Sequence, residues 1–286
     1  MNSLNGRTAV VTGGGSGIGS GIAEALAARG VSVMVADIDE SRAAEVARAI
    51  TAQGGSAAHA GVDVSDAESV AGLGRAVSRT FGRLHFAFNN AGVALHGTPI
   101  EAIAEDDWQW VIGVNILGVV HGIQTFLPMI REHAEGGRIV NTASIGGLQV
   151  NPAWKTAAYS MTKYAVVALS EGLRNELTGS PIGVSVLCPA AVRTRITDSS
   201  RARPGRFGGP YDRPQQAYMA DAIAQGWSGR QVGERVVHGI LEDEFMILTH
   251  SAPRAWIEAR HEMIQTAFDR AEAYERSMTA APGDIT

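Results

Sequence analysis

The stretch VVTGGGSGIGSG, residues 10–21, decides the fold because it joins a predicted strand to a predicted helix through a glycine-rich turn. The β-branched run RTAVVT (7–12) enters the turn, and the helical pattern GIAEALAARG (21–30) follows it. This placement excludes a flexible linker. A nucleoside-triphosphate loop is also excluded, because no Gly-Lys-Ser/Thr follows the glycines. The turn therefore predicts that a dinucleotide pyrophosphate approaches a helix N-terminus.

The glycine spacing differs from the strict G-x-G-x-x-G of many dinucleotide-binding folds. What remains is Thr12-Gly13-x-x-x-Gly17-x-Gly19. The physical role survives the different spacing, because glycine permits a tight turn and a close approach of phosphate to the backbone amides.

The next signal is Asp37, which ends the second predicted strand and lies eighteen residues after Gly19. A carboxylate at this place accepts hydrogen bonds from both ribose hydroxyls of NAD and repels the 2′-phosphate of NADP. Neither Ser16 in the turn nor Ile38 after the acid is basic, so no phosphate clamp competes there. We therefore expect NAD as the cofactor. The alternative interpretation is that Asp37 only caps the following helix.

Predicted strands and helices alternate along the rest of the chain, with a long helix at 107–133. This alternation predicts an α/β fold, a single Rossmann-like, doubly wound domain over residues 1–286 with helices on both faces of a parallel sheet. An Arg-, Gly- and Pro-rich excursion at about 193–230 interrupts the pattern, and we interpret it as a mobile lid over the strand ends. An amphipathic C-terminal helix is expected at about 253–278.

Composition argues against several classes of partner. The 286 residues carry a formal net charge of −5, which gives no support for binding nucleic acid or an anionic membrane. No apolar run approaches the roughly 20 residues of a membrane helix, and the N-terminus lacks a signal-peptide layout. Cys188 is the only cysteine, so no internal disulfide forms and a cytoplasmic location is expected. The eight histidines show no metal-ligand spacing, so no metal is expected.

A second group of polar residues points to proton transfer. Tyr159 and Lys163 in YSMTK are four residues apart on a predicted helix, so their side chains share a face. We expect the ammonium and a positive nicotinamide ring to lower the phenol pKa, so that the tyrosine exchanges a proton with an alcohol or carbonyl. Ser144 follows a strand at the ligand-binding edge and can hold the same oxygen. Asn115, by its amide or a local kink, can connect Lys163 to solvent through water.

At this point the sequence resembles the short-chain dehydrogenase/reductase family, in its TGxxxGxG and YxxxK branch. The matching motifs occur in the family's order and are TGGGSGIG (12–19), DV (63–64), NNAG (89–92), Asn115, Ser144 and YSMTK (159–163). The resemblance runs from Arg7 to about Thr194 and implies a seven-stranded parallel sheet with one bound dinucleotide. It also implies a catalytic tetrad of Asn115, Ser144, Tyr159 and Lys163.

The resemblance further implies which residues hold NAD. In the glycine turn they are Gly13, Ser16, Gly17, Ile18 and Gly19. Around the adenosine they are Asp37, Ile38, Asp63, Val64, Asn89, Ala91 and Gly92. Towards the nicotinamide they are Tyr159, Lys163, Pro189, Val192 and Thr194. Asn90 mainly ties the central strands together. One departure is Ala190, where the family usually has glycine, and it predicts a slightly different nicotinamide-side loop.

The substrate wall is expected from residues 145–154, the turn after Gly92 and the excursion. Its large apolar residues are Leu148, Trp154, Phe207, Tyr211, Tyr218, Met219 and Trp227. Such a wall suits a bulky aromatic or otherwise apolar substrate. Alternatively, these aromatics pack the excursion onto the body or a neighbouring subunit. Six arginines between Arg193 and Arg213 bind an anionic substrate group or, as we favour, carry solvated surface charge.

The sequence therefore predicts an NAD-dependent oxidoreductase that interconverts a small-molecule secondary alcohol and ketone. Its layout is similar to the subset of the family that oxidises the benzylic alcohol of lignin-derived aryl ethers. Family members commonly pair through helices equivalent to 107–133 and 157–177, which implies a homodimer or homotetramer. Three alternatives stay open: a non-catalytic NAD-binding sensor or scaffold, an isomerase or dehydratase that uses the cofactor transiently, and an enzyme acting on steroid-like alcohols.

Overall fold

Apolar and β-branched runs form a parallel sheet. The strands are β1 (Thr8–Thr12), β2 (Ser32–Asp37), β3 (Ala57–Gly61), β4 (Phe86–Asn89), β5 (Gly137–Thr142), β6 (Ile182–Cys188), β7 (Val192–Arg193), β8 (Trp227–Ser228) and β9 (Met246–Leu248). Seven of them lie in the order β3-β2-β1-β4-β5-β6-β9, whereas β7 and β8 pair with each other. The implied seven-stranded sheet is thus confirmed. Its winding reverses between β1 and β4, and ligands bind beyond the carboxyl ends of strands at such a reversal.

Helices cover both faces of this sheet. They are α1 (Gly17–Ala27), α2 (Glu40–Ala52), α3 (Ala67–Phe81), α4 (Glu105–Ile112), α5 (Gly118–Glu132), α6 (Ala157–Glu176), α7 (Ala217–Ala224) and α8 (Gly229–Leu241). A further helix, α9 (Arg254–Thr279), follows them in the chain. Side chains alternate between the faces along each strand. Val11 therefore packs with α1, α2 and α8, whereas the neighbouring Val10 packs with α3 to α6.

Local signals set the helix boundaries. Asp66 caps α3 by accepting hydrogen bonds from the backbone amides of Glu68 and Ser69. Gly82 ends the same helix with a φ of 76°, a conformation that glycine adopts without steric cost. Ser228 and Gln231 form a reciprocal capping box at the start of α8.

The predicted long helix at 107–133 consists of α4, a π-helical turn (Gly113–Leu117) and α5. Together these pieces, Glu105–Glu132, have the length and composition of a membrane span, which the sequence analysis did not find. More than half (56%) of the most apolar window is buried inside the protein. Trp110 and Phe126 are among its fully buried side chains. We conclude that the stretch is a core element of the fold.

This computed structural model describes residues 4–151, 154–211 and 217–279, without side chains for 217–220 and 279. Its chain contacts divide at Thr249. The second unit, from His250, contains α9 where a C-terminal helix was predicted. The prediction of a single domain over 1–286 stays a prediction.

Candidate active site

A cavity of about 660 Å³ lies at the carboxyl edge of the sheet. Most of the residues lining it come from the glycine turn, from the loops after β2, β3 and β4, from α6, and from residues 194–204. We call residues 194–207 the lid segment. A cavity of this size at the winding reversal has room for a dinucleotide.

The glycine turn is shaped by two residues with positive φ, Gly13 (62°) and Gly17 (58°). A Cβ atom at Gly13 would lie 2.8 Å from the Ala91 Cα, and one at Gly17 would lie 2.9 Å from the Thr194 Cγ2. Both distances are shorter than real Cβ contacts. The turn therefore needs glycine for its conformation and for its close approach to two other lining loops.

The N-terminus of α1 opens into the same cavity. Ser16 occupies the N-cap position without a side-chain hydrogen bond to the helix, and the first turn holds no acidic residue. Ser16, Gly17 and Ile18 all line the cavity. Amides at an uncapped helix start attract an anion, so the turn fits a pyrophosphate group.

Asp37 lies at one end of the cavity. Its Oδ2 accepts a hydrogen bond from the Gly15 amide at 2.9 Å, and its Oδ1 accepts one from the Asp39 amide at 3.0 Å. The N-cap of α2 is Asp39, which accepts from the Arg42 amide. The alternative that Asp37 caps this helix is therefore wrong. The two amides orient its carboxylate while leaving acceptor positions for ribose hydroxyls.

The structure adds one basic residue that the sequence analysis missed at this end. Arg42 lines the cavity, one helical turn into α2, and its Nε lies 3.0 Å from the Asp39 Oδ2. In the sequence, only Ser16 and Ile38 stood at positions expected for a phosphate clamp, and neither is basic. Arg42 is already paired, and Asp37 stands beside it.

The same end of the cavity contains Asp63 and Val64, as the resemblance implied, since the amide of the preceding Val62 donates to the Asp37 carbonyl at 2.9 Å. The Asp63 Oδ1 accepts from the amide of Ser65 at 3.0 Å and from its hydroxyl at 2.6 Å. The Asp63 Oδ2 accepts from Arg206 of the lid segment at 2.7 Å.

Most of the implied cofactor residues line the cavity, but Asn89, Gly19 and Val192 do not. Asn89 is the last residue of β4, so its side chain points to one face of the sheet, where its Nδ2 is buried and donates to Asn141 at 2.9 Å. Gly19 lies behind the turn, with no room for a Cβ beside the Gly13 carbonyl. Val192 is buried in β7.

Asn90 takes the place expected of Asn89. Its Nδ2 donates to the carbonyls of Thr12 and Gly13, at 3.0 and 3.3 Å, and its Oδ1 accepts from Thr142. It therefore ties three strand ends together, as expected, and it also lines the cavity.

Tyr159 and Lys163 lie on one face of α6 and both line the cavity. The Lys163 Nζ lies 5.6 Å from the centre of the Tyr159 ring and donates to the Thr142 carbonyl at 2.9 Å. Ser144 follows β5 and forms a hydrogen bond with the tyrosine hydroxyl. The structure thus brings three of the four tetrad residues together.

Asn115 lies in the π-helical turn, where a local kink was expected. Its Oδ1 accepts from the Val93 amide at 2.8 Å, and its Nδ2 donates to Thr162 at 3.0 Å. A Cβ on Gly92 would lie 3.4 Å from both this Oδ1 and the Lys163 Nζ. Asn115 and Lys163 therefore face the same glycine. π-Helical turns concentrate at functional sites.

Burial controls the proton affinities here. It raises the pKa of Tyr159 to about 12, and the hydrogen bond with Ser144 acts in the opposite direction. It lowers the pKa of Lys163 to about 8. The expected lowering of the phenol pKa by Lys163 is thus wrong for the protein alone, because loss of solvation is the larger effect. Burial also raises the pKa of Cys188 to about 12, so this core thiol stays protonated.

His96 is a neighbour of Tyr159 that the sequence analysis missed. The two rings meet edge to face with centres 4.7 Å apart. The His96 turn is anchored by the Gly97 amide, which donates to the Lys155 carbonyl at 2.8 Å. Only the tertiary fold brings these two segments together, so no sequence motif announces the contact.

The nicotinamide-side loop accommodates Ala190. This residue is not among those with positive φ, so alanine fits without backbone strain. Its amide donates to the Thr249 hydroxyl at 3.1 Å. Pro189 and Thr194 both line the cavity, as implied.

Among the described residues, the expected aromatic substrate wall is not found at this cavity, and it stays a prediction. Leu148, Trp154, Phe207, Tyr211 and Trp227 do not line the cavity. Phe207 and Trp227 pack against the core, and Tyr211 donates a hydrogen bond to Asp107 at 3.2 Å. The side chains of Tyr218 and Met219 lie outside the described part of the chain.

The arginines of the lid segment are paired with carboxylates of the protein. Arg203 is only 8% exposed and forms an ion pair with Asp107 at 3.0 Å. Arg201 pairs with Asp198 at 2.9 Å, and Arg206 with Asp63. The favoured expectation of solvated surface charge is therefore wrong for Arg203. Arg213 lies outside the described residues.

At the opposite edge of the sheet, His85, His133 and Glu135 lie within reach of one another. The Nε2 of His133 donates to the Leu84 carbonyl at 2.6 Å, and the Nε2 of His85 lies 3.0 Å from Glu135. Glu135 also pairs with Arg83. Sequence spacing did not indicate this cluster, whose polar atoms are used in hydrogen bonds between chain segments.

Comparison with known proteins agrees with this geometry. The sequence pattern described as short chain dehydrogenase matches residues 7–205. The chain is similar to the C alpha-dehydrogenase of Sphingobium sp. strain SYK-6, with 33% identity over 268 residues, which cover 92% of this chain and 87% of that protein.

Two solved structures are similar as well. One is a short chain dehydrogenase/reductase from Burkholderia phymatum in complex with NAD, with 36% identity, a TM-score of 0.88 and coverage of 93% of this chain and 97% of that chain. The other is a metagenomic short-chain oxidoreductase in complex with NADP, with 32% identity, a TM-score of 0.62 and coverage of 67% and 86%.

Proposed function

Because the chain belongs to the short chain dehydrogenase family, we propose that it is an NAD-dependent oxidoreductase that interconverts a secondary alcohol and a ketone. The observation that carries this proposal is that Tyr159 and Lys163 line one cavity, with the Ser144 side chain hydrogen-bonded to Tyr159. A scaffold without turnover has no need of a buried phenol beside a buried ammonium.

In this proposal Tyr159 is the general base for alcohol oxidation and the general acid for ketone reduction. Ser144 orients the substrate oxygen and stabilises its developing charge. Lys163 passes the proton towards solvent past Gly92, through water at Asn115. A bound NAD supplies the hydride acceptor and, when oxidised, a positive charge that favours the phenolate.

We propose NAD rather than NADP because of Asp37. Its carboxylate is held by two amides at the cavity edge, where a 2′-phosphate meets a fixed negative charge. Arg42 is the one lining residue nearby that attracts a phosphate, and it is engaged by Asp39. The helix N-terminus and glycine turn fit the pyrophosphate, and Asp63 fits the adenine.

We propose a bulky aryl secondary alcohol as the substrate class. The support for this class is a similar protein, and not the aromatic residues expected from the sequence. The C alpha-dehydrogenase relative matches 92% of this chain, including the excursion and part of the C-terminal unit. Steroid-like alcohols remain the second candidate, since a 3beta-hydroxysteroid dehydrogenase is 33% identical over 68% of the chain. The pairing of Arg203 and Arg206 with carboxylates argues against an anionic substrate group.

Assembly as a homodimer or homotetramer and a cytoplasmic location are also proposals. Leu117 and Met161 are each 43% exposed, and they lie on the two helical stretches through which such enzymes are expected to pair. The single cysteine fits a reducing compartment.

The test is a panel of aryl, steroid and aliphatic secondary alcohols incubated with NAD and the full chain, followed by NADH absorbance. The proposal expects NADH to form fastest with the aryl alcohols. Turnover of aliphatic or steroid alcohols alone contradicts the substrate class. Absence of NADH with every alcohol contradicts the reaction and favours a sensor or an isomerase.

A further inference from the structure

The lid segment forms part of the wall of the candidate cofactor cavity. Its lining residues are Thr194, Arg195, Ile196, Asp198, Ser199, Arg201, Ala202 and Pro204. They share the cavity with Asp37 and Asp63, which lie at the proposed ribose and adenine positions. The segment therefore covers the nucleotide part of the cavity as well as the neighbourhood of Tyr159.

Two anchors hold the middle of the lid segment. The Ser199 hydroxyl accepts from the Ala94 amide at 3.1 Å. Arg203 lies over the rings of Trp110 and Tyr211, at 5.5 and 5.0 Å, and pairs with Asp107. Both members of that ion pair are largely buried, at 8% and 15% exposure. A buried pair of this kind is costly to break, so it is a durable attachment.

The third contact is of a different kind. The Arg206 Nη2 donates to the Asp63 Oδ2 at 2.7 Å and to the Ser65 hydroxyl at 2.6 Å. Here the guanidinium is 45% exposed and the carboxylate 20% exposed. Water replaces such a contact at little cost, so it opens and closes while the buried Arg203 pair stays intact.

We propose that Arg206 is a latch that closes the adenine end of the cofactor cavity and slows release of the bound dinucleotide. This inference rests on the proposed cofactor site and adds to it a residue outside every motif of the family. Arg206 is a positioning residue in this account. It fixes the lid segment over the cavity through Asp63 and takes no part in proton transfer.

The contacts around Arg206 favour its closed position against Asp63. Asp63 already receives two hydrogen bonds from Ser65 on its other oxygen, so its carboxylate is fixed in place for Arg206. The Arg206 guanidinium also stacks on Phe207, 4.8 Å from the ring centre, and Phe207 packs against the core. The closed position of Arg206 is therefore supported from both sides.

The test measures the dissociation rate of NADH from the full chain by stopped-flow displacement, in the unaltered protein and in Arg206→Ala. We expect the rate to rise about two- to fivefold, the effect of removing a partly exposed ion pair. Arg206→Lys is expected to give an intermediate rate. The matched control is Arg29→Ala, which removes an ion pair of 2.6 Å to Glu234 of α8 at comparable exposure, with neither partner in the lid segment.

A second measurement locates the effect at the adenine end. Calorimetric binding of ADP-ribose is expected to weaken in Arg206→Ala, whereas binding of reduced nicotinamide mononucleotide is expected to stay unchanged. Equal NADH release from Arg206→Ala and Arg29→Ala overturns the latch, as does slower release from Arg206→Ala. Failure of the unaltered protein to bind NADH at all overturns the proposed cofactor site instead, so the two failures are distinguishable.

Discussion

Two regions of this protein line the same cavity and are held in place in different ways. The loops after β1, β2 and β4 are tied by hydrogen bonds to backbone atoms, such as those from Asn90 to the Thr12 and Gly13 carbonyls. The lid segment is tied by side chains that reach across the fold, from Arg203 to Asp107 and from Arg206 to Asp63.

Because of this difference, we expect the strand-end loops to determine the chemistry of the site and the lid segment to control entry and release of ligands. These strand-end loops belong to the edge of the sheet, and hydrogen bonds within them fix the position of Asp37. The lid segment depends on a few separable contacts and can be released without disturbing that edge. We therefore expect substitutions at the edge to change reaction and cofactor choice, and substitutions in the excursion to change stability and exchange of ligands.

Apart from the loss of Tyr159 itself, the largest effect is expected at Lys163. Lys163→Met removes the buried cation below Tyr159 with little change in volume, and we expect kcat to fall about 10²- to 10³-fold because proton transfer loses its support. Steady-state rates with NAD and an aryl alcohol measure this. Lys155→Met is the control, since Lys155 is the only other lysine and is exposed. A loss below tenfold contradicts the role of Lys163.

Cofactor choice is expected to change next most strongly. Asp37→Ser removes the charge that excludes a 2′-phosphate and leaves Arg42 nearby, so the ratio of kcat/KM for NAD to that for NADP falls about 100-fold. Hydrogen bonds to a charged group contribute about 1.5–3 kcal/mol each, which sets this size. Asp66→Ser, a change at the cap of α3, serves as the control. An unchanged ratio shows that Asp37 does not select the cofactor.

The kcat/KM for alcohol oxidation is expected to rise about tenfold for each pH unit. Burial raises the pKa of Tyr159, so the phenol is protonated at neutral pH and must lose its proton before it can act as a base. At saturating NAD, kcat/KM for alcohol oxidation therefore rises with pH from about pH 6 until the phenol titrates. Ketone reduction, which uses the protonated phenol, stays flat over the same range. Oxidation that is flat between about pH 6 and 8 contradicts the assignment.

The smallest effect on activity is expected in the excursion. Tyr211→Phe removes the hydrogen bond to Asp107 but no cavity-lining group, so the preference for aryl over aliphatic alcohols changes less than about twofold. Urea unfolding should show a loss of about 0.5–1.5 kcal/mol in the free energy of unfolding. A tenfold change in this preference, measured by kcat/KM, contradicts the prediction and indicates that Tyr211 contacts the substrate.

The sequence predicted the residues at the carboxyl edge of the sheet better than the contacts of the lid segment, and the reason is physical. Glycine turns, a strand-end acid and a Tyr-x-x-x-Lys pair act through local geometry, so their spacing is visible in the chain. The Arg203–Asp107 contact joins residues about a hundred positions apart, and the Arg206–Asp63 contact joins residues 143 positions apart, so no local pattern indicates either one. Asn89 was misplaced for a related reason, since the motif does not state which of two neighbouring asparagines faces the ligand.

The central claim is that Tyr159 transfers the proton in an NAD-dependent alcohol oxidation. The most direct test is Tyr159→Phe, measured for NADH binding by fluorescence and for turnover of an aryl secondary alcohol by NADH absorbance. The account predicts that NADH binding stays within about twofold while kcat falls by about 10³-fold or more. Turnover within tenfold of the unaltered protein, with binding intact, contradicts it.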